Sequence, residues 1–149
     1  MKFLLPLLFI SLSSFNNNDI SPKWNTNYKV AFTQAAKEHK MILLNFSGSD
    51  WCGPCIKLHN EVFTLDAFNT IAEANLVLVN ADFPRAKKNQ LSKDQQRLND
   101  ELADKYNQQG DFPLTVLINQ EGQVIKAWTG YPANVDDFIN DLRISIAHH

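Results

Sequence analysis

Cys52 and Cys55 are the whole thiol inventory of this 149-residue chain, and they sit three apart behind Trp51. A thiolate is a nucleophile toward disulfides, and a second thiol within reach can resolve the mixed disulfide that results. Disulfide-stapled scaffolds spread four or more cysteines along the chain. Here both are spent on one local feature, Trp51-Cys52-Gly53-Pro54-Cys55. The chemistry that fits is thiol–disulfide exchange, with Cys52 attacking and Cys55 resolving. A metal site is the competing use of such a pair. Structural zinc wants four ligands, and His39, His59, His148 and His149 supply no second spaced pair inside a domain. Haem attachment needs His directly after the second cysteine, where Ile56 stands. No metal and no cofactor is expected, the dithiol being the redox group.

The pair needs elements to hold it. Met41-Ile42-Leu43-Leu44-Asn45-Phe46 is a short, almost continuous apolar run, the mark of a strand buried on both faces. Ser47-Gly48-Ser49-Asp50 breaks it, and a helix is expected to begin at the cysteines and continue, kinked, towards Ala74. The first turn of a helix presents unpaired N–H groups and the positive end of the helix dipole. A thiolate on Cys52 would be stabilised there, with Cys55 in disulfide reach as the more buried sulfur. Pro54 suits an early helical position, where its missing N–H costs nothing.

Other elements follow the same patterns. Tyr28, Ala31, Phe32, Ala35 and Ala36 space out a helix from Thr26 to about His39, and Leu76 to Ala81 reads as a second buried strand. Ser92-Lys93-Asp94-Gln95 matches a capping box before a helix carrying Leu98, Leu102 and Tyr106, which Gly110 ends. Leu114 to Ile118 is a third strand, and a turn at Asn119 to Gly122 leads into Gln123 to Trp128. A last helix opens with Asn134 and Asp137 in capping positions. The order α-β-α-β-α-β-β-α implies one α/β domain, with parallel strands covered by helices and an antiparallel hairpin at the end.

The Trp-Cys-Gly-Pro-Cys motif after an apolar strand resembles thioredoxin, and Asp111-Phe112-Pro113-Leu114-Thr115 resembles that family's cis-proline loop. The resemblance spans residues 26–147. It implies a thioredoxin fold: a central mixed sheet with helices on both faces and one helical insertion, 83–110, before the cis-proline loop. It further implies a cis bond at Pro113, facing the cysteines, and a Phe112 backbone that pairs with an extended substrate segment. Trp51, Gly53, Pro54, Phe112 and Pro113 together would line the substrate groove. Asn45 to Cys52, with Lys57 and Glu61-Val62-Phe63, is similar to exported thioredoxin-like proteins, a group that includes the periplasmic domain of the DsbD-type membrane reductant conduit. Two family features are missing. Asn45 stands nearest to the family's buried Asp, and Leu78 matches the Lys that accompanies it. An amide cannot exchange a proton at neutral pH, so water or another group must serve Cys55.

The remaining polar residues have bland readings beside sharp ones. His59 could tune the thiols or act as a base, but its place on the helix favours a surface residue directed away from the pair. Asp50 reads as a turn residue and Lys57 as a solvated helix residue. Arg85, Lys87, Lys88 and Lys93 read as a solvated loop, or as a dock for an acidic partner. Trp24 and Trp128 read as packing residues.

Composition and the first residues bound the setting. A formal net charge of −2 gives no electrostatic case for binding nucleic acid, and ten Phe, three Trp and three Tyr argue against disorder. Lys2, the apolar run Phe3 to Ile10 and the small residues Ser11 to Ser14 follow the order of a secretory signal. The same order also fits an uncleaved anchor or a loose apolar end. The expected organisation is a signal peptide over 1–14, a linker over 15–25 and the domain over 26–147. The expected activity is reduction of protein disulfides outside the cytoplasm, in the periplasm or its equivalent, with a membrane electron donor recharging the pair. The expected form is a monomer that is not held in the membrane after cleavage. The alternatives are a disulfide oxidase or isomerase, and a substrate-binding holdase without turnover.

Overall fold

A computed structural model describes residues 22–149. The boundary expected near residue 14 lies outside them. A five-stranded sheet forms the middle layer, built from β1 (Trp24–Asn25), β2 (Met41–Ser47), β3 (Leu76–Asp82), β4 (Leu114–Ile118) and β5 (Val124–Thr129) in the order β1-β3-β2-β4-β5. Five helices cover it: α1 (Tyr28–Glu38), α2 (Gly53–Glu61), α3 (Asp66–Asn75), α4 (Lys93–Tyr106) and α5 (Val135–Ala147). A single 3-10 turn, Lys87–Asn89, lies in the loop before α4.

Alternation along the strands divides the core in two. Ile42, Leu44 and Phe46 of β2, with Val77, Val79 and Ala81 of β3, pack under Ala31, Ala35 and Leu102 of α1 and α4. Leu43 and Leu78 face the other way, onto Leu58, Phe68, Phe138 and Leu142 of α2, α3 and α5. The apolar runs of β2 and β3 have no polar alternation because both their faces are covered.

Three expectations need correction. The helix from the cysteines is two helices. Val62, Phe63 and Thr64 are poor helix formers, and the chain turns there so that Val62 and Phe63 both enter the core, before Asp66 restarts the helix. The third apolar strand is not parallel to its neighbours. After α4 the chain re-enters the sheet with Leu114 beside Phe46, at the far end of β2, so β4 must run backwards along it. The residues just ahead of α1 are not wholly linker. Trp24 and Asn25 pair with Leu78 and Val79 as an edge strand. They are anchored by the Trp24 ring against Phe63 at 4.9 Å and by the Asn25 amide donating to the Leu78 carbonyl.

Helix ends follow local chemistry. Asn27, Ser92 and Asn134 each cap a helix by accepting backbone N–H groups. The capping box at Ser92 is only half formed. Gln95 donates to the Thr26 carbonyl and to Asn99 rather than back to Ser92. Helix α4 stops at Tyr106, before Gly110, because Asn107 leaves the helical path.

Candidate active site

Cys52 occupies the N-cap of α2, and its sulfur accepts the Cys55 backbone N–H at 3.3 Å. Pro54 sits within the first turn, where no N–H is required of it. Cys52 and Cys55 are joined as a disulfide across this turn. Both are buried, at 3% and 1% exposure, Cys55 slightly the more so. Gly53 and Pro54 between them are exposed.

An aromatic cluster adjoins the pair. The Phe112–Pro113 bond is cis, and the Phe112 ring meets Trp51 edge-on at 5.5 Å. Phe83 packs edge-on against Phe112, also at 5.5 Å. The Trp51 indole N–H donates to the Phe83 carbonyl at 2.7 Å, and the Arg85 guanidinium lies 3.6 Å over the indole. Trp51 also lies tightly over Gly48, where an added Cβ would overlap the indole ring. Gly48 in turn accepts the Cys52 backbone N–H.

Asp50 organises the loop that carries Phe83 and Arg85. Its carboxylate accepts the backbone N–H groups of Arg85 and Ala86 and the Asn89 amide, each at 2.9 Å. The Arg85 N–H foremost, then Asn89 and Ala86, hold its carboxyl below the usual carboxylate range. Asn107, buried at the end of α4, clamps the approach to the cis-proline by bonding both the N–H and the carbonyl of Asp111.

A row of neutral polar residues lies on the sheet beneath α2. Asn45, Asn80 and Thr115 are direct neighbours on β2, β3 and β4. The Asn45 amide donates to Asn80 at 3.2 Å and its carbonyl accepts the Thr115 hydroxyl at 3.3 Å. Asn45, Asn80 and Cys55 then share a cleft of about 310 Å³ with Ser47, Ser49, Ile56, His59 and Asn60. Among the described residues, no group of three or more His, Cys, Asp and Glu side chains gathers as a metal site.

Residues 28–143 match the thioredoxin-like domain family. The chain belongs to that family. The disulfide bond reductase DsbH of Chlamydia pneumoniae is 37% identical over 124 residues, covering 83% of this chain and 72% of the relative. A solved structure described as DsbH oxidoreductase superposes with a TM-score of 0.76 at 29% identity, covering 87% of each chain. A thioredoxin from Thermus thermophilus shares the fold, with a TM-score of 0.64 at 19% identity over 83% of this chain and 86% of its own. With its Cys52–Cys55 pair, this thioredoxin-like protein is a protein-disulfide oxidoreductase.

Within this thioredoxin-like domain several sequence expectations are met and others revised. Trp51 adjoins the cysteines, Gly53 and Pro54 lie between them, and Phe112, ahead of the cis bond to Pro113, meets the Trp51 ring. Trp24 and Trp128 pack as expected, the latter edge-on to Phe138 with its N–H on Asp141. The residue beside Asn45 is Asn80, not Leu78. Leu78 pairs with Leu43 and belongs to the apolar core. Asp50 is more than a turn residue, and Arg85 is not simply a solvated charge. Lys57 reaches across Tyr131 and towards Glu61. His59 is exposed, as expected, yet it lines the cleft that reaches Cys55. Sequence reasoning passed over Asn80, Thr115, Phe83 and Asn107. The signal for the first two was present: each is a polar residue set in a buried strand, two residues from an apolar one of the same face, Leu78 for Asn80 and Leu117 for Thr115.

Proposed function

We propose that this chain reduces protein disulfides outside the cytoplasm. The observation that carries the reading is the Cys52–Cys55 disulfide at the start of α2, directly after Trp51, whose ring meets Phe112 of the cis Phe112–Pro113 bond. In the reduced protein, the N–H of Cys55 and the dipole of α2 stabilise negative charge on Cys52. The Cys52 thiolate attacks one sulfur of a substrate disulfide, and the other leaves as a thiolate that takes up a proton. Cys55 then attacks Cys52, the mixed disulfide breaks and the second substrate thiol is released. Two electrons pass to the substrate and the internal disulfide is left behind.

The groove residues have matching roles. Trp51 and Phe112 offer flat apolar contact to the substrate chain, Gly53 and Pro54 keep the approach to Cys52 low, and the backbone beside Pro113 pairs with an extended segment. The direction of electron flow is supported by the disulfide bond reductase named among the relatives. Export is supported by the order of charge, apolar run and small residues over 1–14. Outside the cytoplasm a membrane electron donor would return the pair to the dithiol.

The test is reduction of insulin disulfides by the full chain with dithiothreitol as donor. Cys52→Ser should lower turnover by at least about a thousandfold, as loss of a covalent nucleophile does. Cys55→Ser should accumulate a substrate joined to Cys52, visible by mass under non-reducing conditions. A Cys52→Ser variant that still protects or releases substrate as well as the native chain would favour a holdase.

A further inference from the structure

Resolution of the mixed disulfide has a proton problem. Cys55 must lose its proton to become a nucleophile, and it is 1% exposed on the inner side of α2. The polar row beneath it cannot help. Asn45, Asn80 and Thr115 carry amides and a hydroxyl, which neither take nor give a proton at neutral pH.

The cleft that opens from Cys55 contains one further ionisable side chain, His59. It lies four residues along α2, on the face Cys55 occupies, where side chains stand about 5–6 Å apart at Cβ. The other charged groups nearby are already engaged. On α2, Lys57 is paired with Glu61, and Glu61 also accepts the Tyr131 hydroxyl. At the end of β3, the Asp82 carboxylate accepts the Ser49 N–H and hydroxyl at the rim. The cleft has room for several waters and polar walls to hold them. An imidazole is the side chain suited to accept a proton in this pH range.

We propose that His59 takes the Cys55 proton through water in this cleft as the mixed disulfide is resolved. The proposal rests on the reductase reading above. The Cys55 S–H bond breaks and its proton passes by water to the imidazole. The sulfur attacks Cys52 Sγ, the bond from Cys52 to the substrate sulfur breaks, and the electron pair leaves on the substrate sulfur. That thiolate is protonated from solvent, and the imidazolium returns its proton there. His59 so fills the place left by the missing carboxylate at Asn45.

The test uses the reduced full chain with excess dithiobis(nitrobenzoate), whose released thiolate is coloured. A first phase reports attack by Cys52, and a second, independent of reagent concentration, reports resolution by Cys55. His59→Gln should leave the first phase unchanged and slow the second by about a hundredfold at pH 7, the low end of what a positioned base contributes. His59→Ala should regain rate with added imidazole. A second phase that keeps its rate in His59→Gln, or that gains nothing from imidazole in His59→Ala, overturns the proposal. A native chain lacking the first phase would instead contradict the reductase reading.

Discussion

At the scale of single residues, the site depends on where polar groups are satisfied rather than on how many there are. Asp50 directly precedes Trp51 and Cys52, where a free negative charge would oppose a thiolate. Its oxygens are instead committed to Arg85, Ala86 and Asn89, so the carboxylate ties the 83–90 loop to the active-site turn. Its carboxyl is held below the ordinary value in the folded state. The stabilisation of the loop is therefore present above the unfolded carboxylate pKa, about 3.9, and is lost as pH falls through the lower folded value. Hydrogen exchange at the Arg85 and Ala86 amides should accelerate in Asp50→Asn at pH 7, and the two proteins should converge only once the pH falls below the lowered folded value. Equal protection at pH 7 would contradict this role. Asp50 also explains why the loop could not be read from charge alone: the sequence displays Arg85, Lys87 and Lys88 as a basic run, but backbone amides paired with a distant carboxylate have no sequence signature.

At the scale of elements, the turn between β2 and α2 is built around Gly48. Its carbonyl receives the N–H groups of Trp51 and Cys52, and its bare Cα lets the indole lie flat across it. Gly48→Ala should displace Trp51, break its bond to Phe83 and cost about 1–3 kcal/mol, the range for overpacking a filled site. Urea unfolding monitored by Trp fluorescence measures both effects, and an unshifted midpoint with unaltered emission would contradict the account. The same turn marks how far the sequence could be read. Long apolar runs and side-chain caps announced β2, β3, β4, α4 and α5, because their signals are local. The helix break at Val62 to Leu65 and the reversed β4 were not legible, because tertiary burial and the re-entry point at Phe46 decide them. Edge strand β1 has two residues, too few for any period. At the site, Cys52, Cys55, Pro113 and Asn45 were visible in the sequence. Asn80 was missed because strand register, not residue spacing from the motif, sets it beside Asn45.

At the scale of the whole molecule, the sheet brings three separated stretches to one end: the cysteine turn after β2, the loop after β3 and the cis-proline loop before β4. The insertion adds Phe83 and Arg85 to the aromatic cluster of Trp51 and Phe112, while Asn107 at its far end fixes the approach to Pro113. Electron delivery requires that this assembly hold the dithiol at a more reducing balance than the thiols around it. About 30 mV amounts to only about 1.4 kcal/mol, so the balance must be measured. The most direct measurement equilibrates the full chain in a graded glutathione and dithiothreitol series, following Trp fluorescence and confirming the Cys52–Cys55 state by mass. The reductase account predicts a midpoint below about −240 mV, on the thioredoxin side of the scale. A midpoint at or above about −200 mV would place the pair with isomerases and oxidants and contradict the account.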